Sequence, residues 1–140
     1  MTDLPATLAD EMEIRNLVAR LAHLADRAPT LEEYLTCFTP DAVWEYAEGA
    51  RFVGRAEIEK DRLRLRGEVF QGPGAKTFHV NTTLMVQVKS DGTAEAQSYW
   101  LFVDGKGEPQ IKRLGHYHDR FRRTSEGWKL ARRTVSPADM

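Results

Sequence analysis

Two residues of this chain stand where acid–base chemistry could be done. His79 lies in the segment Thr77-Phe-His-Val-Asn-Thr-Thr-Leu-Met-Val-Gln-Val, and an imidazole exchanges protons near neutral pH. Alternation along a strand places Phe78, Val80, Leu84, Val86 and Val88 on one face and His79, Asn81, Thr83 and Met85 on the other. Solvent explains a row that mixes His and Asn with Met poorly. Such a strand is buried on both sides or lines a pocket. Asp26 closes an otherwise apolar helical stretch, where its charge opposes the helix dipole. Structural acids seldom need to bear that cost, although an exposed acid or a cap for the next turn is the alternative reading.

Other residues carry blander readings beside their functional ones. Trp44, Tyr46, Trp100, Phe102, Tyr117 and Trp128 fit a packed core first and a substrate grip second. Tyr99 or Tyr117 could donate a hydrogen bond to a substrate oxygen, and spacing does not choose between them. His116 and His118 share a strand face, but no third ligand follows at a convincing spacing, so no metal is expected. His23 reads as a surface residue and Cys37 as a small buried one. The basic run Lys60, Arg62, Arg64 and Arg66 reads as a solvated helix face with partners among Glu57, Glu59 and Asp61. No phosphate-binding glycine loop, serine elbow or cysteine–histidine pair appears.

The elements that must position these residues follow from the period of the apolar positions. Met12, Ile14, Leu17, Val18, Leu21, Leu24 and Ala25 predict a helix from Leu8 to about Asp26, stopped by Pro29. Thr30 is placed to cap a short helix through Leu35. Asp41 to Tyr46 reads as a strand, and Phe52-Val-Gly-Arg-Ala-Glu-Ile as the entry to a third helix ending near Arg66. After Gln71-Gly-Pro-Gly the period changes to two. Strands are predicted over Lys76–Lys89, Thr93–Asp104, Gln110–Thr124 and Trp128–Ser136, joined by glycine-bearing turns. Strands this long coil, and helices packed over the concave side complete an α+β fold.

At 140 residues, with 41% hydrophobic and 29% charged residues, the chain is expected to form one globular domain over residues 1–140. A net charge of −1 exerts no global pull toward nucleic acid or anionic membrane. The N-terminal stretch is acidic and lacks a continuous apolar run, so neither a signal peptide nor a membrane span is expected. With a single cysteine, a cytoplasmic location is expected. An apolar patch of Phe78, Val80, Leu84 and Val86 on the outer sheet face would favour a homodimer or higher homo-oligomer; the alternative is that this face packs on the helices, which would turn His79 outward and remove the catalytic reading.

The order of elements resembles the SnoaL-like branch of the nuclear-transport-factor-2-like superfamily. Leu35-Thr-Cys-Phe-Thr-Pro-Asp-Ala-Val-Trp, the Phe52 to Ile58 turn, Gly115-His-Tyr-His-Asp-Arg-Phe-Arg-Arg and Glu126-Gly-Trp-Lys-Leu-Ala-Arg-Arg carry the resemblance. It implies a cone: a curved, mostly antiparallel sheet closed by about three N-terminal helices around an apolar pocket. The group also contains scytalone dehydratase, hexachlorocyclohexane dehydrochlorinase and bile-acid dehydratase, which use a His–Asp dyad. Asp26 and His79 match those positions, with Arg133 where a pocket arginine assists a leaving group or developing anion. Leu21 stands where these enzymes mostly carry Lys or Tyr. The implied function is a cofactor-independent lyase or isomerase acting on a small apolar substrate, cyclic or polyketide-like. Asn81, Tyr117, Trp44, Trp100 and Leu21 would line its site. The alternatives are a non-catalytic small subunit of an aromatic-ring-hydroxylating dioxygenase and a small-metabolite binding protein.

Overall fold

The computed structural model describes residues 4–138 except Val69. Helix α1 (Leu4–Arg27) forms because Ile14, Leu17, Val18, Leu21 and Ala25 recur at helical spacing, and all five are buried. It starts four residues earlier than the apolar period indicates, since Pro5 is tolerated in a first turn where its missing N–H has no intrahelical partner. A five-residue α2 (Glu32–Thr36) follows, with Leu31 at the N-cap and no side-chain cap. Thr30 therefore does not cap it.

Strand β1 (Phe38–Tyr46) turns back into β2 (Arg51–Val53), and α3 (Arg55–Gly67) comes next. The sequence reading ran Phe52 and Val53 into that helix. Instead they pair with Trp44 and Val43, and Gly54, at φ +87°, supplies the sharp exit into α3. The Val53 N–H then donates to the Glu57 carboxylate at 2.5 Å, a local hydrogen bond at the helix start.

The long strands β3 (Thr77–Val88), β4 (Thr93–Asp104), β5 (Gln110–Thr124) and β6 (Gly127–Pro137) complete a mixed sheet of order β2-β1-β6-β5-β4-β3. The β1–β6 pairing is parallel and the others are antiparallel. Register shifts within four of the five pairings bend the sheet. Helices α1 and α2 pack against the sheet, α1 on β3 and β6 and α2 on β1. There Leu21, Tyr34, Phe38, Phe121 and Leu130 form the centre of the core.

Strand β3 departs from simple alternation, with a consequence for the site. Its register against β4 shifts between Thr82 and Met85, and Thr83 there has φ +55°. This bulge switches the strand's parity. Ahead of it His79 and Asn81 turn inward while Phe78 and Val80 are exposed. Beyond it Leu84, Val86 and Val88 turn inward and Met85 is exposed. The outer patch expected of Phe78, Val80, Leu84 and Val86 is thus divided, and Leu84 and Val86 pack on the core.

At the opposite end of the fold, Asp10 of α1 accepts the Trp128 indole N–H at 3.0 Å and the Arg123 guanidinium at 2.5 Å. Glu13 accepts the Trp128 backbone N–H at 2.6 Å. These bonds fasten the helix across the β5–β6 hairpin and set where its last turn meets β3.

Candidate active site

Asp26 is in the last turn of α1, and its carboxylate grips His79 twice. Oδ1 lies 2.6 Å from the ring Nδ1, and Oδ2 accepts the His79 backbone N–H at 3.0 Å. The two side chains are 7% and 12% exposed. With both oxygens acting as acceptors, Nδ1 carries the proton and Nε2 is the ring nitrogen left for the cavity. Phe102 packs against the ring at 5.1 Å between centroids.

The unfavourable position of an acid at a helix C-terminus has an identifiable compensation. Arg66, near the end of α3, donates from Nη2 to the Leu24 and Ala25 carbonyls at 3.1 Å each, and from Nη1 to the Ala28 carbonyl at 2.7 Å. Its guanidinium caps α1 beside Asp26 and sets positive charge against the negative end of the helix.

His79 borders a cavity of about 650 Å³. Its wall crosses the sheet from Trp44 on β1, through Tyr117 on β5, to Trp100 and Phe102 on β4. Trp100 and Tyr117 stack at 5.6 Å and 15°, and Phe70, from the segment between α3 and β3, stacks on Phe102 at 5.0 Å. Gly115, opposite Trp100 on β5, is required here. A Cβ on it would meet the Trp100 Nε1 at 2.7 Å and the Ser136 carbonyl oxygen at 2.3 Å. Burial pushes the Tyr117 phenol up to about 12 against the pull of Arg133. Tyr117 is therefore a hydrogen-bond donor at neutral pH.

The structure places the residues singled out by sequence in two groups. Trp44, Trp100, Tyr117 and His79 border the cavity, with Asp26 behind His79. Arg133, Asn81 and Leu21 are not on its wall. Arg133 is 4% exposed and forms a bidentate pair with Asp119, Nε to Oδ1 and Nη2 to Oδ2, both 2.8 Å. It lies 3.8 Å from the Tyr117 ring centroid. Leu21 is in the core, and Asn81 turns inward with a buried Nδ2 that has no partner among the described residues. His118 borders a separate surface depression with Glu45 and Arg132. Among the described residues no three His, Cys, Asp or Glu side chains converge as metal ligands.

Sequence reasoning missed Arg62. Read as part of a solvated face, it is 4% exposed, borders the cavity, and lies 4.4 Å over the Trp44 ring. The signal was present: Ile58, Arg62 and Leu65 fall at i, i+4 and i+7, so Arg62 shares the apolar stripe of α3.

A sequence model of the SnoaL-like domain matches residues 6–134. No protein of the curated collection matches the chain. Among solved structures, an NTF2-like protein with a cystatin-like fold from Novosphingobium aromaticivorans is 27% identical, with a TM-score of 0.79 over 99% of this chain and 92% of that one. A candidate scytalone dehydratase from the same species is 23% identical, covering 94% of this chain and 86% of that one, with a TM-score of 0.78. That likeness speaks for the fold alone. A Catenulispora acidiphila protein in complex with S-DNPA is 25% identical, at a TM-score of 0.73 over 95% and 94% of the two chains. The fold is NTF2-like, and it supports a catalytic or ligand-binding role. Among the described residues no helix is long and apolar enough to cross a membrane.

Proposed function

The chain belongs to the SnoaL-like family, and we propose that it is a cofactor-independent lyase or isomerase of the dehydratase type. His79 is the general base and Asp26 the residue that orients it. The observation that carries this reading is the double grip of Asp26 on His79, at 2.6 and 3.0 Å, beside an aromatic-walled cavity. A base whose tautomer and ring plane are fixed spends no reorganisation at the moment of proton transfer.

The substrate is small and largely apolar, with an acidic C–H next to a carbonyl. Nε2 of His79 takes that proton, the electron pair moves toward the carbonyl oxygen, and Asp26 stabilises the imidazolium. In an isomerisation the imidazolium returns the proton to another carbon. In a dehydration the C–O bond to a β-hydroxyl breaks, a C=C bond forms, and the same proton leaves with the hydroxide as water. Leu21, apolar and buried, offers no separate acid on α1. His79 therefore serves both steps. Tyr117 is the donor for the developing oxygen anion.

This reading treats residues 1–140 as one catalytic domain, cytoplasmic and homodimeric or larger. The exposed Phe78 and Val80 on the outer face favour the assembly. The test is deuterium incorporation next to the carbonyl of a cyclic ketone such as 2-tetralone in D2O, followed by NMR. Exchange above background that disappears in His79→Ala supports the proposal. Exchange equal in wild type and variant across a panel of cyclic ketones would leave only a binding protein.

A further inference from the structure

Arg62 and Arg133 flank the Trp44 indole, at 4.4 and 5.3 Å from its ring. Each side chain is 5% exposed. Their counter-charges differ. Arg133 holds the Asp119 carboxylate by two bonds. Arg62 reaches Asp61 by one, Nη2 to Oδ2 at 2.8 Å, and the other Asp61 oxygen is taken by Arg64 at 3.0 Å. Arg64 has Glu68 as a second partner, at 3.4 Å, so the charges of the cluster balance, but Arg62 keeps only one of its N–H groups on a carboxylate. The Tyr46 hydroxyl oxygen accepts from the same Nη2 at 3.2 Å. Among the described residues neither Nε nor Nη1 of Arg62 has a hydrogen-bond partner.

We propose that the cavity takes a substrate bearing an anionic oxygen group, either a carboxylate or an ionised enol, and that Arg62 binds it. The inference rests on the reading of this cavity as a substrate site, and it deepens that reading. A buried guanidinium with N–H groups left over is poorly satisfied, and an anion beside it supplies the missing acceptor atoms. Asp61 and Tyr46 hold the planar group against the indole face, so it is oriented before a ligand arrives.

The placement also sets the substrate's layout. Arg62 stands over β1 and His79 is on β3, at opposite ends of the run β1-β6-β5-β4-β3. At a strand spacing of about 4.8 Å, that is about 19 Å along the curved sheet and less across its mouth. Trp100 and Tyr117 form the stacked wall between them. A flat substrate body rests on that wall, with its anionic oxygen at the Arg62 end and its reactive carbon at the His79 end.

The experiment compares two pairs of probes by calorimetry: 2-naphthoate with 2-naphthamide, and ionised 4-hydroxycoumarin with 4-methoxycoumarin. The indole N–H signals of Trp44 and Trp100 report by NMR that binding is in the cavity. At least one anion is expected to bind about tenfold or more tightly than its neutral analogue, and the pair that does so tells carboxylate from enol. Arg62→Met removes the preference. Asp61→Asn, which leaves Arg62 without a carboxylate while Arg64 keeps Glu68, strengthens anion binding and decides the matter should the first variant not fold. Equal binding of anion and neutral analogue, a preference that survives Arg62→Met, or an Asp61→Asn variant with unchanged or weakened anion binding overturns the inference. His79→Ala keeps the preference, so the loss of proton exchange and the loss of anion binding fail separately. Binding of neither pair in the cavity sinks both readings.

Discussion

The Asp26 carboxylate bonds the ring of His79 with one oxygen and the backbone of the same residue with the other, at 2.6 and 3.0 Å. A single side chain thus fixes where strand β3 meets helix α1 and how the imidazole is turned. Fold and site share one contact. Asp26→Asn keeps the size of the side chain but turns an NH2 group toward one of the two bonds. Facing Nδ1, that group reverses the tautomer and puts the proton on Nε2. Proton exchange on a responsive ketone is expected to fall about 10³-fold. An exchange rate within a few-fold of wild type would show that the orientation of His79 does not matter.

Arg66 acts on the same end of α1. Arg66→Met takes the guanidinium from the Leu24, Ala25 and Ala28 carbonyls, of which Leu24 keeps the Ala28 N–H, at an expected cost of about 2 kcal/mol in urea unfolding. Arg66→Lys, which keeps the charge but cannot reach all three carbonyls, is expected to recover only part of that stability. A urea midpoint unchanged in Arg66→Met would show that the guanidinium does not cap α1.

Stability at acid pH is expected to depend on Asp10. The Trp128 indole N–H holds its carboxyl below the ordinary 3.8, burial opposes this, and Arg123 adds to it. A folded-state value below the unfolded one means the unfolded chain binds the proton more readily. The contribution is therefore present above about pH 4 and fades as pH falls through the folded value. Urea midpoints of wild type and Asp10→Asn, followed from about pH 6 to pH 2.5, should converge toward the acid end. Parallel curves would rule Asp10 out as the source.

Thr83 holds φ +55°, a region that costs a β-branched residue about 1–2 kcal/mol. Thr83→Gly relieves that cost and is expected to raise stability by about 0.5–1 kcal/mol, after the greater freedom of glycine in the unfolded chain is subtracted. Deleting Thr83 removes the bulge, so inward-facing His79 and inward-facing Leu84 can no longer coexist. The cooperative unfolding transition is then expected to be lost or to shift far to lower urea.

The sequence by itself determined the elements and their order. Period two after Ala75 and glycine at the turns yielded β4 and β5 with the bounds observed, Thr93–Asp104 and Gln110–Thr124. Local backbone preference and side-chain period act over a few residues, and a chain states them directly. The three-residue β2 lacked such a signal, because a strand that short exists only through pairing with β1. Asp26 and His79 were singled out by residue type and family resemblance, but their contact spans 53 positions and depends on how α1 crosses the sheet. The parity of β3 turned on one bulge residue, Thr83, which has no distinctive local chemistry. The charges were least legible. Arg62 and Arg133 each sit near acids in sequence, and only packing decided that one would have a carboxylate of its own while the other shares one at the edge of a cavity. Charge pairing and burial are set by distances across the fold, and sequence spacing does not encode those distances.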